Sequence, residues 1–213
     1  MITFTKAILG FTVLASAGAY SLVEPATATR AWVEQAVIGL NLCPFAKAVQ
    51  VKGLVRYVCS DARDTGALRD ALRAELLHLR DTPIDQTETT LLVHPWVLGD
   101  FLDYNDFLDD ADALLAELDL EGTLQIASFH PDYRFAGTDE DDIGNATNRS
   151  PHPTLHLLRE ASIDRAVDAY PEADAIVGAN LRTLQALGTQ GWARLQAGIL
   201  RAAALSAESP PAR

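Results

Sequence analysis

Cysteine is almost absent from this chain of 213 residues, which contains only Cys43 and Cys59. Two cysteines are too few for the disulfide framework of a small secreted domain, and their spacing matches no paired zinc-binding motif. Aromatic residues make up only 7% of the chain, whereas hydrophobic residues together make up 48%. This composition is typical of a globular protein with an aliphatic core and excludes a disordered or low-complexity chain.

Basic residues are scarce as well. The chain has 17 lysines and arginines against 29 aspartates and glutamates, so its formal net charge is -12. A surface of this sign repels the phosphate backbone of DNA and RNA. We therefore expect no nucleic acid partner.

After residue 22 no apolar run approaches the roughly 20 residues that a membrane-spanning helix needs, so we expect no membrane span in the mature domain. Residues 1–22, "MITFTKAILGFTVLASAGAYSL", combine one lysine, an apolar run and the small residues Ala17 and Ala19, the outline of a secretory signal peptide. The alternative is a mis-set start, with the cytoplasmic protein beginning near Val23. We expect a cytoplasmic protein, with export through residues 1–22 as the alternative, a single domain over 23–206 and a mobile tail over 207–213.

Three short β-branched or apolar segments predict strands: "GLVRYVCS", "TETTLLVHP" and "GTLQIASFHP". Helical patterns lie between them, as in "TGALRDALRAELLHLRD". The alternation predicts an α/β domain whose central sheet has about three or more mainly parallel strands flanked by helices. A ferredoxin-like α+β arrangement is the alternative, because one additional short strand would change the pattern. "TLHLLREA" is predicted as a helix that begins at about Pro153 or Thr154, with two further helices following it.

Three of the five histidines, His94, His130 and His152, stand directly before proline. Cys59, His94 and His130 follow predicted strands, and in parallel sheets ligands bind outside the carboxyl ends of the strands. Cys43 precedes Pro44 near a predicted helix start, where the helix dipole would lower the pKa of a thiol. We therefore expect one site that gathers Cys43 with the three histidines.

The segment from 131 to 153 is rich in Gly, Asn, Asp and Pro and has no periodicity, which is typical of a functional loop. It contains Arg134, Arg149 and Ser150 and leads to the predicted helix start at Thr154. These four residues are candidates for binding an anionic substrate through cationic and amide donors.

Three functions are compatible with these residues. In the first, His94, His130 and His152 bind a divalent transition metal such as zinc, which activates water. In the second, Cys43 is a nucleophile with His130 or His152 as the base, in a thiol-dependent enzyme acting on a small molecule. In the third, the protein is not an enzyme and binds a small anionic ligand.

Four stretches carry a resemblance: "WVEQAVIGLNLCPFAKAVQVKGLVRYV", "LLVHPWVLGDFLDYNDFLD", "QIASFHPDYRFAGT" and "NRSPHPTLHLLREASI". On these the chain resembles the bacterial family catalogued as Domain of Unknown Function 1415, over roughly Thr29 to Gly188. The resemblance implies that the Cys-Pro and His-Pro stretches are the segments by which members are recognised. It implies no activity.

Overall fold

The computed structural model describes residues 24–170 and 175–208. The predicted signal peptide or mis-set start therefore lies outside the described residues, as does most of the predicted tail. No helix in these two described ranges combines the length and apolar character needed to cross a bilayer.

Four strands form one mixed sheet, and helices precede, connect and follow them. The strands are β1 (Val55–Cys59), β2 (Thr89–Val93), β3 (Leu124–Phe129) and β4 (Thr154–Arg159). The helices are α1 (Pro25–Trp32), which continues as a π-helical segment (Val33–Ile38), α2 (Ala46–Val51), α3 (Thr65–Asp81), α4 (Phe101–Glu117), α5 (Glu160–Asp168) and α6 (Ile176–Glu208).

The strand order in the sheet is β1-β2-β4-β3. β1 and β2 pair in parallel, and β4 pairs antiparallel with β2 on one side and with β3 on the other. The first three strands therefore point the same way, and β4 runs between two of them in the opposite direction. The predicted α/β class, with a sheet flanked by helices, is confirmed, although only one of the three strand pairs is parallel.

One face of the sheet is covered by α3 and α4. The α3 leucines recur every three or four residues, at Leu68, Leu72, Leu76 and Leu79, and all four are fully buried. This spacing places them on one side of the helix, where they pack against the sheet. Asp64 caps α3 by accepting a 2.8 Å hydrogen bond from a backbone N–H, and Asp100 caps α4 in the same way.

The other face carries a second core formed with α1 and α6. Trp32 of α1 contacts Phe129 of β3 edge to face, with ring centroids 5.1 Å apart. Within α6 the helix breaks at Gly188, whose φ of 67° and ψ of 168° are not helical. Glycine adopts this conformation without the steric cost that a Cβ adds. The two separate helices predicted for this region are thereby confirmed, with the first ending at Gly188.

The prediction of a helix start at Thr154 is wrong, because Thr154–Arg159 is strand β4 and the helix begins at Glu160. A short apolar run such as "TLHLLR" cannot be assigned to a buried strand or a buried helix by periodicity alone. His156 therefore lies on strand β4, and Glu160 is the first residue of α5. The ferredoxin-like alternative does not describe the chain either, because its element order is β-α-β-β-α-β and the order here is β-α-β-α-β-β.

The loop between β3 and β4 is folded around a 3-10 helix, Ile143–Asn148. Asn145 is fully buried and organises the loop, since its side-chain oxygen accepts hydrogen bonds from Phe135 N and from the Thr138 hydroxyl. Its amide nitrogen donates to Asp139 O at 2.8 Å. The loop is thus held internally by three hydrogen bonds of one buried side chain.

Tyr104 of α4 ties the ends of two strands together, and this contact gives a first testable prediction. Its buried hydroxyl donates to Thr154 O at 2.9 Å and accepts from Phe129 N at 3.1 Å. Tyr104→Phe leaves both backbone groups without this partner, so we expect a loss of about 2 kcal/mol in the free energy of unfolding, measured by urea denaturation. Tyr57→Phe is the matched control, because it removes one hydrogen bond to Gln50 from a half-buried site and is expected to cost about 1 kcal/mol or less. Equal losses in the two variants would contradict the bridging role of Tyr104.

Candidate functional site

A cavity of about 700 Å³ lies on the face of the sheet that carries α1. This volume is within the range of sites that hold drug-sized ligands. Its floor is the sheet, and its walls are α1, the segment from Cys43 through α2, and α5. The floor residues are Val55, Glu88, Thr89, Leu91, Gln125, Ala127, Phe129, His156, Leu158 and Arg159. The wall residues are Trp32, Val33, Val37, Cys43, Pro44, Phe45, Ala46, Ala48, Val49, Lys52, Ser162, Ile163, Arg165, Ala166, Ala169 and Tyr170.

Two of the walls, α2 and α5, contain no fully buried residue. Both helices nevertheless have apolar side chains toward the cavity, among them Val49 in α2 and Ile163 in α5. An amphipathic helix normally buries its apolar face against other side chains. Here those faces border unfilled space, and the two helices are joined where Phe45 contacts Tyr170 with ring centroids 5.7 Å apart.

The charged residues around the cavity are mostly cationic, whereas the net charge of the whole chain is negative. Three cationic side chains, Lys52, Arg159 and Arg165, line it together with one carboxylate, Glu88. Over the whole chain the acidic residues outnumber the basic ones by 29 to 17. Net positive charge beside an apolar cavity in an acidic protein favours a ligand with an anionic group.

The three cations differ in their freedom to contact a ligand. The Arg159 guanidinium donates to three backbone carbonyls, Leu79 O, Thr82 O and Thr87 O, and is therefore held in place by the fold. Lys52 and Arg165 are exposed, and no ion pair occupies either of them in the described part of the chain. These two side chains are the cationic groups available at the rim.

Cys43, which the sequence predicts as a site residue beside the histidines, lines this cavity. Burial raises the pKa of its thiol, and the backbone N–H groups of Phe45 and Ala46 only partly offset this. The expected activation by a helix dipole is absent, because α2 begins three residues later and has only six residues. The thiol is therefore protonated and weakly nucleophilic at neutral pH.

His156 lies in the floor of the cavity, at the middle of β4. Its Nε2 is 2.8 Å from the Thr89 hydroxyl, and that hydroxyl donates its own hydrogen to Leu157 O at 2.6 Å. The hydroxyl can only accept from the ring, so Nε2 carries the imidazole proton and Nδ1 does not. Burial lowers the pKa of His156 from its ordinary value to about 4, and the ring is neutral at physiological pH.

His94 and His130 are brought together, but away from the cavity. Both are fully buried beside Tyr104, with ring centroids 5.7 Å and 5.1 Å from its ring. His94 Nδ1 donates to Val97 O and His130 Nε2 donates to Leu98 O, each at 3.2 Å. The two histidines thereby fix successive carbonyls of the loop between β2 and α4.

These hydrogen bonds hold the loop between β2 and α4 in an unusual backbone conformation. Leu98 has a φ of 57°, in the left-handed region that a leucine rarely adopts. The ring of His130 also accepts from Asp132 N at 3.0 Å, so both of its nitrogens are satisfied in the neutral state. Burial is the largest cause that lowers the pKa of both histidines.

The remaining predicted residues lie elsewhere. His152 and Cys59 are half-buried near Glu24. Burial lowers the pKa of His152, which the charge of Glu24 partly offsets, and burial raises the pKa of Cys59, to which Glu24 adds. Arg149 donates to Tyr133 O and Glu140 O within the loop. The hydroxyls of Ser150 and Thr154 both donate to His152 O, and Arg134 is exposed in the same loop.

The structure therefore divides the predicted site. Cys43 belongs to the cavity, whereas His94, His130 and His152 do not line it. Among the residues the structure describes, no group of three His, Cys, Asp or Glu side chains is placed to hold a metal ion. The three histidines are thus not arranged as a zinc site, and the four loop residues are not arranged around a helix N-terminus.

Three residues of the cavity, His156, Lys52 and Arg165, are not predicted from the sequence as site residues. A signal for His156 is present in "TLHLLR", where a single polar residue interrupts an apolar run. Once the run is assigned to a strand, alternation places Leu155 and Leu157 on one face and His156 on the other. Lys52 and Arg165 have no comparable signal, because each is an ordinary exposed cation on a helical surface.

The buried state of His94 predicts acid sensitivity. Its pKa is lowered from 6.5 to about 4 in the folded protein, mainly by burial. Between these values the unfolded chain binds the proton and the folded chain does not, so the free energy of unfolding decreases as the pH falls. The free energy of unfolding is expected to be about 2 kcal/mol lower at about pH 5 than at about pH 7 because of this single group.

The measurement is urea denaturation at both pH values. His94→Gln is expected to reduce the loss of stability between them by about 2 kcal/mol, whatever its effect at neutral pH. The exposed His78 provides the matched control, His78→Gln. If the stability lost between about pH 7 and about pH 5 is the same in His94→Gln as in the unmodified protein, the conclusion that His94 is buried in its neutral form is wrong.

A third prediction concerns the reactivity of Cys43. In a Cys59→Ser background, which leaves one thiol to follow, iodoacetamide is expected to label Cys43 at least about tenfold more slowly than a free thiol at neutral pH. The same protein unfolded in urea is the control and is expected to react at the rate of a free thiol. Labelling of the folded protein as fast as in urea would show that the thiol is activated or exposed.

Comparison with protein families identifies a match over most of the chain. The family model described as "Protein of unknown function (DUF1415)" matches residues 24–194. No curated protein and no solved structure shows a significant match. The matched segment covers β1 to β4, helices α1 to α5, the first part of α6 and the whole lining of the cavity. The chain therefore belongs to the family of proteins of unknown function DUF1415.

Proposed function

We propose that this protein binds a small amphipathic anion, with the apolar body of the ligand in the cavity and its carboxylate or phosphate at the rim beside Lys52 and Arg165. The observation that supports this most directly is the combination, in an acidic protein, of an apolar cavity of about 700 Å³ with two exposed cations that form no ion pair among the described residues. Pockets for small molecules typically have this composition, with mostly apolar walls and a few polar groups that fix orientation.

The state of the helical walls supports the same proposal. α2 and α5 bury no residue fully, so their apolar faces gain little from the hydrophobic effect while the cavity is empty. A ligand that fills the cavity removes both faces from water, at about 25 cal/mol for each Å² of apolar surface. Ligand binding is then expected to stabilise the folded state by mass action.

A thiol-dependent enzyme is the second candidate, because Cys43 and His156 line the same cavity. In this version Cys43 is the nucleophile and the neutral His156, in place of His130 or His152, is the candidate base. The raised pKa of the Cys43 thiol argues against it. The labelling rate of Cys43 separates the two candidates, since a nucleophile of this kind reacts faster than a free thiol and a wall residue reacts more slowly.

Binding of decanoate, measured by isothermal titration calorimetry, tests the first proposal. We expect a dissociation constant on the order of 10 µM and an increase in the melting temperature with ligand concentration. The double variant Lys52→Glu with Arg165→Glu is expected to weaken binding at least about tenfold, since it replaces two attractive charges by repulsive ones. Ala166→Trp, which places an indole in the cavity, is expected to abolish binding.

The chain offers a matched control for the charge reversal. Lys47 is exposed on α2, and Lys52 is exposed directly after the end of that helix, but Lys47 does not line the cavity. Lys47→Glu is therefore expected to change decanoate binding by less than about twofold. The proposal fails if decanoate does not bind, if decanol binds as tightly as decanoate, or if Lys47→Glu weakens binding as much as Lys52→Glu.

A further inference from the structure

His156 is a polar residue in the floor of the cavity, and its surroundings determine which of its ring nitrogens donates a hydrogen bond and which accepts one. Its two cross-strand neighbours are Leu91 of β2 and Ala127 of β3, and all three line the cavity. A ligand that fills the apolar space above this part of the sheet must lie against the imidazole. The chemistry of the ring then decides which atom of the ligand belongs there.

The proton on the ring is located by a chain of two hydrogen bonds. Leu157 O accepts from the Thr89 hydroxyl, and the Thr89 oxygen accepts from His156 Nε2. Thr89 has a single hydroxyl hydrogen and has already donated it, so the reverse direction at Nε2 is excluded. Nδ1 is therefore the unprotonated nitrogen, with a lone pair and no hydrogen to donate.

Nδ1 has no hydrogen-bond partner within the described part of the chain. It is also absent from the buried polar atoms that lack a partner, which include Nε2 of His94. Among the described residues, therefore, nothing hydrogen-bonds to Nδ1. Since the ring lines the cavity, Nδ1 faces the cavity as an acceptor.

We infer that the ligand carries an uncharged hydrogen-bond donor, such as a hydroxyl group, part-way along its apolar body, and that this group donates to His156 Nδ1. The inference rests on the proposed function and specifies the ligand of the same site. An anionic group at this position is excluded by the chemistry, because a neutral ring with its proton committed to Thr89 offers a negative charge no donor. The anion belongs at the rim with Lys52 and Arg165, and the hydroxyl belongs at the floor.

The test uses decanoate and a series of its monohydroxylated isomers, each titrated into the full-length protein. We expect at least one isomer to bind about five- to tenfold more tightly than decanoate, the range that one additional hydrogen bond provides. In His156→Phe the ratio of the two dissociation constants is expected to fall to about one, because the acceptor is gone.

A second measurement does not depend on any variant. Nitrogen-15 NMR of the free protein is expected to show the His156 ring as the Nε2-protonated tautomer, with an unprotonated Nδ1 that shifts when the hydroxylated ligand binds. Thr89→Val removes the acceptor that holds this tautomer, so we expect it to reduce the preference for the hydroxylated isomer.

The outcomes separate the two proposals. If neither decanoate nor any of its isomers binds, the proposed function is wrong and this inference falls with it. If decanoate binds and no isomer is more than twofold tighter, only this inference is overturned and the amphipathic anion remains. A protonated Nδ1 in the free protein would overturn the inference in the same way, as would a preference for the hydroxyl that persists in His156→Phe.

Discussion

The fold depends on the pairing of β4 with two neighbours at once. β4 enters between β2 and β3, forms antiparallel ladders with both, and thereby joins the β1-β2 pair to β3 in one sheet. Its backbone groups are satisfied on both sides, which a strand in the interior of a domain requires. Because successive side chains of β4 point to opposite faces of the sheet, the sequence of this strand decides which side chain lies on which face. Leu155 and Leu157 go to the core under α3 and α4, and His156 goes to the opposite face.

The two faces of the sheet are completed in different ways. Under α3 and α4 the space is filled by leucines and aromatic side chains at full burial. On the other face, α1 and α6 form a second core, but the space bordered by α2 and α5 stays open. A cavity of this size removes dispersion contacts from every side chain around it, so its lining is less stable than a packed core. This cavity lies beside two helices that have no buried residue, and that arrangement supports the proposed ligand-binding site.

Much of the fold follows from the sequence. "GLVRYVCS", "TETTLLVHP" and "GTLQIASFHP" are predicted as strands, and each contains one of the strands β1 to β3. Strand β4 is not predicted, because "TLHLLREA" continues from a strand into a helix without a turn. Its apolar residues fit both the period of a strand and the period of a helix. The site is less predictable than the fold. Cys43 is identified through its Cys-Pro context, but its distance from the histidines depends on which face of the sheet each segment covers, and that is decided only by tertiary packing.

The histidines show why residue type alone does not locate a site. His94 and His130 have the context expected of functional residues, yet their hydrogen bonds to Val97 O and Leu98 O explain their positions through the backbone they hold. His156 is different, because the fold does not need it. Thr89 already has an acceptor in Leu157 O, and a leucine at position 156 would add apolar contacts without the cost of burying an imidazole. The Nε2 of His156 donates to Thr89, but the Nδ1 lone pair has no partner among the described residues and requires another explanation. In this cavity a ligand that donates to Nδ1 supplies one, and it requires the same neutral tautomer that Thr89 imposes.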